Sequence, residues 1–208
     1  MLKEGKNMLD KSIEFHSIIM KHSNSQEIVE PSIPNGFSVR FYKMGDEKYW
    51  ALIQTAVQEF DSIDDALECF QHYLHHEKEL QRRQIYVVDN EKEIPVATAT
   101  AWFSEYGGKP IGVVHAFSCL PEYQSLGLGR IAAIYMMKCF HDCMPNSEVW
   151  LDTQTWSYRA IGIYLELGFI PMKTAVYNEV PNEYREAVQV LKGKMRADIY
   201  KKFIESAK

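Results

Sequence analysis

The sequence predicts an α/β (α+β) domain in which strands and helices interleave. Three observations point there. Ile111 to His141 reads as strand, glycine-containing loop and helix: the β-branched and aromatic run IGVVHAFSCL, a turn at Pro121-Glu122-Tyr123, then GLGR entering IAAIYMMKCFH at helical spacing. Short alternating apolar stretches before it are joined by turn residues, so neighbours meet as hairpins. At 208 residues, with 46% apolar residues, the chain suffices for one packed core with at most an appendage.

Residues 1–36 are polar and weakly patterned, an N-terminal extension in which Glu14 to Met20 reads as an added edge strand. Pro31 to Gly36 is a linker. Phe37 to Tyr42 alternates as the first core strand. Lys48 to Phe60 carries Trp50, Ile53, Val57 and Phe60 on one helical side. Ser62, followed by Asp64 and Asp65, reads as an N-cap to a helix running to about Leu80 with Ile63, Leu67, Phe70 and Leu74 inward. Gln84 to Val88 and Pro95 to Ser104 are strands, and 105–110 turns the chain into the central strand. Ser147 to Thr153 is the next strand. Tyr158 to Leu167 is a helix closed by Gly168 at C′. Phe169 to Val176 is a last strand interrupted by Pro171. Beyond the main domain, 37–180, the tail 181–208 reads as helical: Asn182 can cap a segment in which Tyr184, Val188, Leu191, Met195, Ile199 and Phe203 recur, with a break at Gly193.

Two phosphate loops compete at the centre. Gly127-x-Gly129-x-x-Ala132 matches the dinucleotide fingerprint, with Asp152 as the acidic ribose partner. Yet Pro121 to Leu126 separate strand from glycine, and too little chain follows Asp152 for a full dinucleotide domain. GxxxxGK[ST] does not occur. The sharper reading joins two motifs. Gln124-x-x-Gly127-x-Gly129 resembles the Q/R-x-x-G-x-G/A loop of the GCN5-related N-acetyltransferases, and Ala160-x-x-x-Tyr164-x-x-x-Gly168-Phe169 resembles the family's A-x-x-x-Y-x-x-x-G-F signature. The resemblance covers about Phe37 to Phe169. It implies a central mixed, mostly antiparallel sheet flanked by helices, with acetyl-CoA as acyl donor. The family usually closes with a further strand; a helical tail implies that strand is missing or replaced.

By that resemblance the backbone of Gln124, Ser125, Leu126, Gly127, Leu128, Gly129 and Arg130 holds the diphosphate, where helix N–H groups converge. The pantetheine pairs like a strand with the central strand at Ser118, Cys119 and Leu120, where two strands splay at a bulge. The Leu120 N–H is then the oxyanion donor. Tyr164 protonates the leaving thiolate. Ser157 and Ala160 complete the cofactor wall, Ser157 standing where the family often has Asn and also able to cap its helix. His115, with Ile111, Val113, Phe117 and Cys119 directed the same way, is the candidate base, since imidazole titrates near neutrality. Transfer is expected to be direct, without an intermediate on Cys119.

A net charge of −5 without a like-charge run disfavours nucleic acid. The apolar runs fall short of a membrane span, and the start lacks a signal-peptide core. The four cysteines read as reduced thiols of a cytoplasmic protein, and His72, His75 and His76 as solvent-facing rather than metal ligands. No metal is expected. The acceptor reads as a small-molecule amine lined by Trp50, Tyr73, Trp102 and Tyr106, and the added terminal elements offer a homodimer surface. A non-catalytic acyl-CoA module and a nucleotide-dependent oxidoreductase are the alternatives.

Overall fold

The computed structural model describes residues 9–25, 28–176 and 179–208; 1–8 and 26–27 of the expected terminal extension lie outside them, as do 177–178 near the end of the expected main domain. Seven strands form a sheet in the order β2-β3-β4-β5-β6-β1-β7: β1 Ser17–His22, β2 Phe37–Phe41, β3 Gln84–Asp89, β4 Ile94–Tyr106, β5 Lys109–Cys119, β6 Val149–Gln154 and β7 Ile170–Pro171. The pairing is mostly antiparallel, with β5 and β6 parallel. The helices are α1 Glu47–Ala56, α2 Ile63–Leu74, α3 Glu77–Arg83, α4 Leu128–Cys143, α5 Tyr158–Glu166, α6 Tyr184–Leu191 and α7 Ala197–Glu205. By contacts the described chain divides into two compact units, one containing 28–102 and 115–143, the other 9–25, 103–114, 144–176 and 179–208.

In the first unit, Tyr42, Trp50, Ala51, Ala66, Phe70, Leu80, Tyr86 and Val88 form a core joined by Tyr73, Trp102 and Ala116. Ser62 caps α2 as expected, its Oγ accepting from the Asp65 N–H at 3.1 Å. The helix stops at Leu74 instead of Leu80, because His76 leaves helical geometry and a new helix starts at Glu77. Ala66 and Phe70 are buried, and Leu67 and Leu74 pack half-buried on the same core; of the expected inward residues only Ile63 departs, 47% exposed, since it opens the first turn at the surface. His72, His75 and His76 are exposed, and no group of three or more metal-binding side chains occurs among the described residues.

In the second unit, β1 corrects the expectation of an edge strand. It lies between β6 and β7, paired antiparallel with β6 from Ser17↔Gln154 to His22↔Val149 and with β7 at Met20↔Pro171. Ile18, Ile19 and Met20 are fully buried, so both faces of the strand are covered. Burying a branched aliphatic side chain stabilises by about 1.5–3 kcal/mol, and two such residues plus a Met outweigh the long loop needed to bring β1 there. β7 is only two residues long; Pro171 sits at a non-hydrogen-bonded position of the ladder, and the Met172 N–H after it still donates to the Ile19 carbonyl of β1 at 2.9 Å. The tail is two helices: Gly193, at φ +79°, turns the chain between them. Asn182 does not cap; its Nδ2 donates to the carbonyls of Met172 (2.7 Å) and Ala175 (3.1 Å), bracing the segment after β7.

Candidate functional site

The first unit carries the glycine loop. Ser125 (φ +67°) and Gly127 (φ +79°) take left-handed backbone, which turns the chain into α4. The two glycines differ. A Cβ on Gly127 would meet open space, so its requirement is conformational; one on Gly129 would make only ordinary contacts with Phe117 and Cys119, at 3.6–3.8 Å, so space alone does not demand that glycine. The first helical bond runs from the Ile131 N–H to the Gly127 carbonyl (3.0 Å), and the N–H groups of the turn before it have no acceptor within the helix. Gln124 turns inward, its Nε2 donating to the Cys119 carbonyl at 3.1 Å, whereas Ser125, Leu126, Gly127 and Arg130 are exposed. Leu128 is buried and anchors the helix start.

β5 is kinked. Ala116 sits at φ +50°, a left-handed value in a strand interior, which marks a bulge. The hydrogen bonds on either side show the register shift. The Gly112 N–H donates to Glu148, the residue preceding β6, at 2.8 Å, so in a straight strand every even-numbered amide would turn to that edge. Instead the Leu120 N–H donates to the Val96 carbonyl of β4 at 2.9 Å. Two expectations therefore change. The Leu120 amide is engaged with β4, and Ser118, two residues back, shares its direction; the edge away from β4 receives the amides of Phe117 and Cys119. His115 does not share a face with Phe117 and Cys119 either. Those two pack toward Gly129, while His115 Nδ1 is hydrogen-bonded to Tyr73 Oη on α2 at 3.0 Å and Ala116 packs beside it on the aromatic core. A bulge puts two successive side chains on one side, and Ala, unlike Gly, leaves no sign of it in the sequence.

Around His115 the surroundings are aromatic. Tyr73 lies 5.0 Å from Trp102 and 6.0 Å from Trp50, ring centroid to centroid. Burial holds the Tyr73 phenol well above its ordinary range, so it stays protonated. Trp50 Nε1 is buried without a hydrogen-bond acceptor. Burial, with Glu122 repulsion adding to it, pushes the Cys119 thiol up to about 12 against the smaller opposing pull of the Gly129 N–H. A thiol at that value is no nucleophile near neutrality.

The second unit holds the other motif. Tyr164 and Ala160 are buried on α5, Tyr164 with its ring 5.7 Å from Phe169, and Gly168 (φ +95°) closes the helix as expected. Ser157 is buried at the helix start but makes no capping bond through its side chain: its φ of −91° and ψ of 26° depart from the extended backbone of a capping residue. Among the described residues, β6 pairs with β5 at Gly112↔Val149 and Val113↔Trp150. Tyr106 packs on Trp150 at 5.2 Å in this unit, while Trp50, Tyr73 and Trp102 belong to the first.

Gln54 was not singled out from the sequence. It lies four residues after Trp50 on the inward stripe of α1, and a polar residue there was the available signal; its amide bonds to β5 at Ala116 and Ser118.

The acetyltransferase (GNAT) family model matches residues 49–169, more than half of the chain. Among solved structures, a GCN5-related N-acetyltransferase from Sphaerobacter thermophilus is similar at TM-score 0.54 and 16% identity, over 76% of this chain and 49% of that one. This chain thus spans about half the length of that relative. An acetyltransferase from Trypanosoma brucei aligns at 0.50 and 15% identity, over 71% and 99%. The NatC complex bound to Gag peptide and CoA aligns at 0.53 and 14%, over 64% and 84%. No curated protein matches the sequence. These likenesses carry the fold, and the family match carries membership: the chain belongs to the GNAT acetyltransferase family.

Proposed function

We propose that this protein transfers an acetyl group directly from acetyl-CoA to the nitrogen of a primary amine, a small molecule with an apolar or aromatic body. The observation that supports this most is the kink of β5 at Ala116, followed along the chain by the exposed loop 125–127 and the start of α4. The kink turns backbone amides to one edge for an amide-rich pantetheine arm, and the helix start offers N–H groups to a diphosphate. The NatC neighbour is described as bound to CoA, in keeping with that ligand.

The amine arrives as an ammonium with an ordinary pKa of about 10.4, and loss of water on burial disfavours the cation. In the base form, His115 Nδ1–H donates to Tyr73 Oη and Nε2 takes the ammonium proton. The nitrogen lone pair attacks the thioester carbonyl carbon; the C–N bond forms as the carbonyl pair moves onto oxygen. The Cys119 amide, on the edge away from β4, stabilises that oxygen in place of Leu120. The pair returns and the C–S bond breaks; the acylated nitrogen sheds its second proton and the thiolate takes one up, a relay through the phenol that the family pattern assigns to Tyr164, while the proton on His115 passes to water. The products are the N-acetylamine and CoA thiol. The cysteine pKa argues for this direct route. The four free cysteines suit a reducing, cytosolic setting.

An acetyl-CoA turnover screen across arylalkylamines, polyamines, amino acids, aminoglycosides and peptides should give thiol release with small aromatic amines. His115→Ala should lower kcat/KM by about 1,000-fold, and Tyr164→Phe should lower turnover far more than CoA affinity. CoA binding with no turnover on any amine would instead indicate a binding module. Thermal stabilisation by NAD(P) but not CoA would favour an oxidoreductase.

A further inference from the structure

Gln54 is 2% exposed, and both ends of its amide are used on β5. Nε2 donates to the Ala116 carbonyl at 3.3 Å, and Oε1 accepts from Ser118 Oγ at 3.1 Å. These contacts bracket Phe117 and begin at the residue whose φ is +50°. Each end of this arrangement is unfavourable alone. A buried amide side chain loses its hydration, and a left-handed alanine persists only where neighbours over-determine it. Together they account for one another: the bulge presents a carbonyl and a hydroxyl to α1, and Gln54 answers both.

We propose that Gln54 is a positioning residue for acyl transfer, clamping the bulge so that the amides of Phe117 and Cys119, not those of Ser118 and Leu120, face the edge that takes the acyl-CoA. This rests on the acetyl-transfer reading above. The clamp acts through backbone direction. A one-residue slip of a strand reverses every following residue, so releasing the bulge exchanges one set of amides for the other. An oxyanion donor moved in this way is lost to the reaction even when the diphosphate is still bound at loop 124–129.

Gln54→Met keeps the volume and removes both hydrogen bonds. The ¹H–¹⁵N amide resonances of 116–119 should shift, and kcat should fall about 100-fold, the scale of a small misplacement at a reacting centre. CoA affinity by calorimetry should fall far less, by about tenfold at most, because the diphosphate contacts stay while the displaced amides serve both the pantetheine arm and the transition state. Ser118→Ala, which removes one of the two contacts, should lower kcat about 10-fold with the same split, and it carries the test if Gln54→Met fails to fold. Unmoved amides, an unchanged kcat, or kcat and CoA affinity falling in parallel would each overturn the proposal. A wild-type protein that neither binds CoA nor acetylates an amine defeats the acetyl-transfer reading instead, and the amide shifts still decide whether Gln54 holds the bulge.

Discussion

β1 matches β6 over six residues, Ser17↔Gln154 to His22↔Val149, with Ile18, Ile19 and Met20 fully buried. β5, among the described residues, is paired with β6 at Gly112 and Val113 and then turns left-handed at Ala116. The first arrangement uses its backbone groups in the ladder and its side chains in the core, so nothing is left to meet a ligand. The second gives up ladder bonds and accepts a strained residue, and its polar side chains, Gln54 and the Tyr73–His115 pair, collect beside the kink. Within one sheet, regularity goes with stability and irregularity with chemistry.

Substitutions can break this contrast. The largest effect is expected at Ile19→Ala, which should lower the unfolding free energy by about 2–5 kcal/mol in urea titrations, as for other large-to-small changes in closed cores. It should leave the acetyl-transfer constants of the remaining folded protein alone. A loss under 1 kcal/mol would mean that β1 is not the packed strand described above. A smaller effect is expected at Ala116→Val. A β-branched residue resists positive φ, so about 1–2 kcal/mol of stability should go, together with a disproportionate fall in kcat. Equal tolerance of Val and Ala would show that the bulge is not fixed.

The smallest effect concerns His22 at the end of β1. It is 4% exposed, its Nδ1 accepts from the Asn24 N–H at 2.9 Å, and burial holds its pKa below the ordinary value. The unfolded chain then binds a proton that the folded chain refuses. This contribution is complete above the ordinary histidine pKa of about 6.5 and is lost as pH falls from there toward the depressed folded value. Urea titrations from pH 7.5 to 5 should show stability declining with acid, with a shallower decline in His22→Gln. Parallel slopes would remove His22 from the account.

What the sequence made legible follows from how local each signal is. The unit β5–loop–α4, the cap at Ser62, the closing Gly168 and the break at Gly193 depend on neighbours in the chain, and all appear where the residues indicated. The position of β1 depends on a partner strand far along the chain, and alternation cannot specify a partner. The end of α2 depended on the backbone of His76, which has no glycine or proline to mark it. The kink was hidden for the same reason: with alanine at 116, even the faces assigned to His115 and Leu120 came out one residue off. Of the site, the two glycine motifs were readable as patterns, whereas Gln54 was a single polar letter in an apolar stripe.

The placement of β1 also bears on how the molecule is made. Ser17–His22 leaves the ribosome long before Val149–Gln154, and at 5–20 residues per second that is a wait of roughly 7 to 26 seconds. Throughout it, a short apolar segment has neither of its partners. Non-local pairing of this kind slows folding, so this half of the sheet is expected to close last, leaving a window in which chaperones or aggregation compete for Ile18, Ile19 and Met20.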